Sequence, residues 1–240
     1  MATPCSLTKP VESSASRPLP LLDSGAAAIG LILLSPVLVL IALAIAVDDG
    51  FPVLFRQERV GRNGKLFQIL KFRTMRAVQS GPKVTSSGDS RVTRAGRWLR
   101  KLKLDELPQL WNVLRGDMSL IGPRPEVPEY VELDDPLWQT VLSVRPGITD
   151  LATLAFRHEE EVLSAAADTE DCYRGIVLPQ KLRLNVYYLQ SRSPLRDLKL
   201  LWLTARYSFF PQGFDHVQIL RSLGVADATM ADSRRAKPNA

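Results

Sequence analysis

The chain has 240 residues, a net charge of +6, two cysteines and two histidines. That length suits one ordinary domain, or a membrane element followed by one domain. Two cysteines with no CxxC spacing and no His cluster exclude a zinc module or disulfide framework and suit a reducing compartment.

Residues 1–22 are rich in Pro and Ser and read as a disordered tail. From Gly25 to Val47 no residue is charged. As a helix this run would measure roughly 35 Å, enough for a hydrocarbon core of about 30 Å. No A-x-A site follows it, so it reads as retained rather than cleaved. Pro36 removes a backbone donor and Ser35 can bond back to a freed carbonyl, so the membrane helix expected over 23–49 is broken at Ser35-Pro36. Lys9 and Arg17 precede the run, and Arg56, Arg59, Arg62 and Lys65 follow it. Positive charge on both flanks places both ends on the cytoplasmic side and predicts a re-entrant helix. A kinked spanning helix is the alternative.

Between Arg56 and Lys103 stand fourteen Lys or Arg, against Glu58 and Asp89. Such a block implies an anionic partner. Next to a membrane segment it favours lipid headgroups and phosphorylated ligands over nucleic acid. Within the block, Asn63-Gly64 between two Phe/Val/Ile-rich runs predicts a β-hairpin, and residues 77–90 read as a loop. A basic helix is expected over Thr93–Leu104, with Trp98, Leu99 and Leu102 on one side. The next helix opens at Asp105, because Pro108 fits only a first turn. It buries Leu107, Leu110, Trp111 and Leu114 and stops at Gly116.

Further helices are expected over Val127–Val144 (broken at Pro136), Glu159–Ala167, Pro179–Gln190 and Pro194–Phe210, with a tail over 213–240. The predicted fold is α+β: mostly helical, with a small β-hairpin. One compact cytoplasmic domain (50–212), carrying amphipathic interfacial helices, follows the membrane helix. Trp202, Tyr207, Phe209, Phe210 and Phe214 suit either core packing or an interfacial anchor. His158 and His216 read as surface or packing residues.

Candidate chemistry centres on Asp105 and Glu106. As first residues of a helix both have a plain explanation as cap and dipole partners. Arg100, Lys101 and Lys103 stand close before them, and Arg124 returns in a rigid Pro123-Arg124-Pro125 turn. Cationic neighbours and a helix N-terminus favour an ionised carboxylate, which can coordinate Mg²⁺ or attack phosphorus. Adjacent helical residues point about 100° apart, so the two acids are expected to have different tasks. The prolines flanking Arg124 lower the entropy lost on gripping a phosphate. Lys71 and Arg73 add two cations at i and i+2, a pattern that also suits a guarded strand edge.

Taken together, several stretches resemble the bacterial sugar transferases, monotopic phosphoglycosyl transferases that act on a polyprenyl-phosphate carrier. They are Ser35-Pro36, FRQERVGRNGKLFQILKFRTM, RVTRAGRWLRKLKLDELPQLWNVLRGDMSLIGPRP, VRPGIT and YYLQSRSPLRDLKLLWLT. The resemblance covers about Asp23 to Tyr207 and the motifs fall in the family's order. It implies that Asp105 attacks the sugar-linked phosphate of a UDP-sugar, releasing UMP, and that polyprenyl (undecaprenyl) phosphate then takes the phosphosugar from the enzyme. It further implies that Glu106 supports metal or proton handling, that Arg100, Arg124, Lys71 and Arg73 bind phosphate and donor, and that Mg²⁺ is held by Asp105 with or without Glu106. The product would initiate exopolysaccharide, O-antigen or glycoprotein glycans on the cytoplasmic face of the bacterial inner membrane; a homodimer stays open. Many members continue after VRPGIT with GWAQV, where this chain reads DLATLAFRHEEE, a stretch expected to bear on the donor sugar. Longer relatives carry spanning helices and a soluble domain before the catalytic part, so the chain resembles the minimal form. The rival readings are a membrane glycosyltransferase that moves only the sugar, and a non-catalytic basic protein tethered to the membrane.

Overall fold

The computed structural model describes residues 20–76, 89–157, 159–210 and 215–225. Residues 1–19 of the disordered tail expected over 1–22, most of the 77–90 loop, His158 and Phe214 lie outside them, while residues 20–22 are helical rather than tail.

Helix α1 (Pro20–Asp49) is long and apolar enough to cross a membrane by length and composition. It runs unbroken through Pro36, which corrects the break expected at Ser35-Pro36, and Ser35 Oγ donates to the Ile32 carbonyl at 2.8 Å. That bond satisfies a carbonyl in the turn next to the proline. One face of α1 is buried against the domain at Ala27, Ile41 and Ile45; Ile32, Leu33, Leu40 and Val47 on other faces are exposed. Both ends of α1 are tied to the same domain. Ser119 Oγ donates to Asp23 Oδ2 at 2.6 Å, and the Ala95 amide donates to Asp48 Oδ2 at 2.9 Å.

Strands β1 (Leu54–Val60) and β2 (Leu66–Phe72) form the expected antiparallel hairpin, in register from Leu54↔Phe72 to Val60↔Leu66. Asn63 and Gly64 take the left-handed conformation, but the connection spans residues 61–65 rather than Asn-Gly alone. The outer edge of β2 is closed by Asn112. Its side chain accepts from the Leu70 amide at 3.0 Å and donates to the Gln68 carbonyl at 2.8 Å.

Helix α2 (Arg94–Leu102) starts at Thr93, whose hydroxyl accepts from the Gly96 amide. A Cβ at Gly96 would stand 2.2 Å from the Thr74 carbonyl, so only glycine lets α2 seat against the chain leaving β2. Trp98, expected on the packed side, is exposed while Leu99 is buried.

Lys103 then adopts φ 58, ψ 21, a left-handed conformation that turns the chain sharply. Asp105 and Glu106 therefore sit on a separate 3-10 turn (Leu104–Glu106), and α3 (Gln109–Arg115) begins only after Pro108. This corrects the helix start expected at Asp105. The buried face of α3 is Gln109, Asn112 and Val113, while Trp111 is exposed. The predicted stripe turns instead toward α1, where Leu110 Cδ1 would lie 3.4 Å from a Cβ on Gly30.

Strands β3 (Ser119–Ile121) and β4 (Gly147–Thr149) pair in parallel, an element the sequence reading does not contain. A Cβ on Gly147 would meet the Gly122 amide nitrogen at 2.0 Å. Glycine at both positions lets these segments touch. Between them, the helix expected over Val127–Val144 is reduced to a 3-10 turn at Pro128–Tyr130 and to α4 (Pro136–Leu142), which is capped by Asp135. Both prolines start their elements, where a missing N–H is harmless.

Helices α5 (Leu151–Ala155), α6 (Glu159–Ser164), α7 (Thr169–Cys172), α8 (Leu178–Gln190), α9 (Pro194–Phe209) and α10 (His216–Ser222) complete the domain. A π-turn over Tyr173–Val177 joins α7 to α8 just before Pro179, which has no N–H to continue the ordinary ladder. The main core joins Trp138, Leu151, Val177, Leu184 and Leu200 with Leu220 and Val225. Packing thus runs on to Val225, into the region expected as tail.

Candidate active site

Three segments converge near the start of α3. The first is the 3-10 turn bearing Asp105 and Glu106; the second is the end of β2 with Lys71; the third is the Pro123-Arg124-Pro125 turn after β3. Arg124 is fixed at its backbone as well as by its prolines. Its amide donates to Asp150 Oδ2 at 2.8 Å. Asp150 is itself 1% exposed, caps α5 through the Thr153 amide, and accepts from Asn185 Nδ2 at 3.0 Å. One carboxylate therefore aligns the Arg124 turn, α5 and α8.

The Arg124 guanidinium grips Glu106 in a two-pronged pair, Nη1 to Oε2 at 3.0 Å and Nη2 to Oε1. Lys71 Nζ stands 3.5 Å from the same Oε1. Burial alone would push the Glu106 carboxyl up, but the adjacent Arg124 and Lys71 charges hold it well below the usual carboxylate range. Burial, followed by the nearby Arg124 charge, pushes Lys71 down to about 8.

Asp105 has the opposite surroundings. It is 7% exposed, and its Oδ1 is buried without a hydrogen bond. Burial and then the neighbouring Glu106 charge raise its pKa, while Lys71, Lys103 and Arg100 pull the other way. This corrects the expectation that its cationic neighbours keep it readily ionised: Lys71 is paired with Glu106 and Arg100 with Glu160, and desolvation dominates at Asp105. Four residues on, Gln109 is fully buried with neither side-chain atom bonded.

A family model described as bacterial sugar transferase matches residues 18–211. The chain belongs to the bacterial sugar transferase family. It is 43% identical over 188 residues to UDP-glucose:undecaprenyl-phosphate glucose-1-phosphate transferase of Caulobacter vibrioides, with 76% of this chain and 66% of that one covered. It is 40% identical over 197 residues to undecaprenyl-phosphate glucose phosphotransferase of Komagataeibacter xylinus, with 78% and 35% covered. The uncharacterized sugar transferase EpsL of Bacillus subtilis is 36% identical over 207 residues, with 85% and 95% covered. The chain thus spans just under two thirds of the first relative and about a third of the second.

In this sugar transferase the motif residues divide by place. Asp105, Glu106, Lys71 and Arg124 come together. Arg100 reaches away to Glu160 and rests its other nitrogen 3.8 Å from Met75 Sδ, so it acts on Asp105 only through its field. Arg73 is spent at the end of α1, where it pairs with the Asp49 carboxylate at 3.2 Å and donates to the Gly50 carbonyl at 2.7 Å. Ser35 and Pro36 lie in mid-helix on α1. Sequence reasoning missed Asp150, Asn112 and Gln109. The signal for the last two was a pair of amides, one turn apart, inside an apolar helical pattern. For Asp150 it was a lone acid directly after VRPGIT.

Proposed function

We propose that this protein is a phosphoglycosyl transferase that moves a sugar-1-phosphate from a UDP-sugar to polyprenyl phosphate, in two steps. The observation that carries the reading is the division within the acidic pair. Glu106 is locked by two cations, and Asp105 keeps one oxygen without a partner. In the first step an Asp105 oxygen forms a bond to the sugar-linked phosphorus. The bond from that phosphorus to the bridging oxygen breaks, and its electron pair leaves with UMP. In the second step an oxygen of polyprenyl phosphate attacks the same phosphorus and the bond to Asp105 breaks, restoring the carboxylate. Lys71 and Arg124, both half-buried, orient the diphosphate, with Glu106 holding their positions. The relatives' names, which specify undecaprenyl phosphate and glucose-1-phosphate, support this substrate pair.

Among the described residues no group of three His, Cys, Asp or Glu could hold a metal. The unpartnered Asp105 oxygen fits a Mg²⁺ that takes its other ligands from phosphate and water, whereas Glu106, with both oxygens bonded, does not. When bound, the ion supplies positive charge to the diphosphate.

The re-entrant topology belongs to the same reading. A helix crossing the bilayer would carry one end away from the domain, yet Asp23 and Asp48 at opposite ends of α1 both bond to it. Exposed Trp98 and Trp202, with Lys101 and Arg206 over their rings at 5.6 and 5.2 Å, suit an interfacial face on α2 and α9. This face would rest on the cytoplasmic side of the inner membrane. Cysteines placed at residues 23 and 48 should both react from the cytoplasmic side; reaction from opposite sides would end the model.

The chemistry is tested with labelled donor and no acceptor. Wild type should retain label covalently and release UMP, while Asp105→Asn should do neither. Equal labelling of both would remove Asp105 as nucleophile, and release of UDP would instead mean transfer of the sugar alone.

A further inference from the structure

Beside Glu106 lies a cavity of about 270 Å³ that the two phosphoryl-transfer steps leave unused. Its walls are mainly apolar, with Leu110, Ile148, Leu154 and Leu201 contributed by α3, β4, α5 and α9. Most of its hydroxyls are already satisfied. Thr149 and Thr204 bond to each other at 2.8 Å, and Ser208 donates to the Thr204 carbonyl at 2.8 Å. A uracil, ribose or hexose would need convergent polar partners that such a wall does not offer. The volume is also below the roughly 300–1,000 Å³ that encloses a whole small ligand, so it suits one apolar segment of a larger molecule.

Two further features identify that segment. Lys103 and Glu106 line the cavity from the turn before α3, and Arg157 lines it from beyond α5. The apolar space is thus edged by two cations and joined to the acidic pair. Thr153 Oγ1, buried and without a hydrogen bond, adds a donor to the lining. Leu110 meanwhile packs against the cluster that includes Ala27 of α1, so the cavity wall is continuous with the apolar helix. An anionic headgroup attached to an apolar chain matches all of these.

We propose that this cavity receives the first isoprene units of the polyprenyl phosphate acceptor, with Lys103 and Arg157 meeting its phosphate. The proposal rests on the function given above. It also gives the divergent DLATLAFR stretch, which supplies Thr153, Leu154 and Arg157, an acceptor-side position instead of the expected donor-side one.

The test uses the full chain in bilayer nanodiscs and a prenyl phosphate carrying a diazirine in its first isoprene unit. Photolabel should map to residues 107–110, 148–157 and 201–208, and excess undecaprenyl phosphate should suppress it. Label elsewhere, or suppression by phosphatidylglycerol equal to that by undecaprenyl phosphate, would overturn the proposal. In parallel, Ala205→Trp, which fills the cavity, should raise the acceptor KM by about tenfold or more and leave the donor KM within about twofold. A raised donor KM with an unchanged acceptor KM would assign the space to the donor. Should the variant misfold, the wild-type photolabel decides. Failure of wild type to release UMP or form a prenyl diphosphate sugar would instead remove the parent reading, a result distinct from a misplaced label.

Discussion

The Glu106 side and the Asp105 side of the site are separated by one peptide bond, yet they follow opposite electrostatic rules. At Glu106 a two-pronged guanidinium and a lysine outweigh burial and fix the charge. At Asp105 burial wins, because Lys71, Lys103 and Arg100 act on it only through space and do not outweigh desolvation. Positive charge acting through space alone therefore does not decide the outcome. It decides where geometry allows a fork of hydrogen bonds, and the neighbour left out is the group proposed as nucleophile.

The largest effect that could break this contrast is at Asp105. Asp105→Asn should reduce transfer by at least about a thousandfold. It should also stabilise the fold at neutral pH, since a buried acid with a raised pKa weakens the folded state once ionised. The folded pKa lies above the unfolded one, so the wild-type penalty is absent below the ordinary value of about 3.9 and grows as pH rises through the folded pKa. Melting curves of both proteins from acid to neutral pH should diverge in that order; parallel curves would show that Asp105 is not desolvated.

Glu106→Gln should have the reverse effect, destabilising the domain by about 3 kcal/mol because half-buried Arg124 and Lys71 lose their anion. Here the folded pKa is depressed. The contribution is therefore present above about 4.3 and lost as pH falls through the folded value, so the two proteins should converge at strongly acid pH. Denaturant titration at two pH values measures it. A smaller change is expected at Lys71. Wild-type activity should fall about tenfold between about pH 7 and pH 9 as its ammonium titrates near 8, and Lys71→Arg should flatten that limb. The smallest concerns Asp150. Asp150→Asn should cost about 1–3 kcal/mol and raise the donor KM a few-fold, through loss of an acceptor for the Arg124 amide.

What could be read in the sequence was local. Asn63-Gly64 announced the hairpin, and the apolar run from Gly25 announced α1. The four residues that meet at the site were all candidates. The missing parts depend on contacts between distant segments. Three-residue strands such as β3 and β4 leave no periodicity to detect, and they exist because Gly122 and Gly147 allow backbones to touch. The displaced start of α3 came from Lys103, whose left-handed turn carries none of the usual glycine signal. Arg73 and Arg100 stood in the right motifs, and only the fold reveals that Asp49 and Glu160 hold them.

Asn112 touches none of the groups that react, yet it acts as the alignment key of the site. Its amide grips an N–H and a C=O on the free edge of β2 at once, a match available at a single strand setting. A slip of β2 by one residue would turn every side chain to the opposite face. Lys71 would then be replaced beside Glu106 by Leu70 or Phe72, and the ion-paired half of the site would be dismantled with each of its residues intact. A change at Asn112 would thus be scored in an assay as a catalytic defect, although the fault would be one of mechanical indexing.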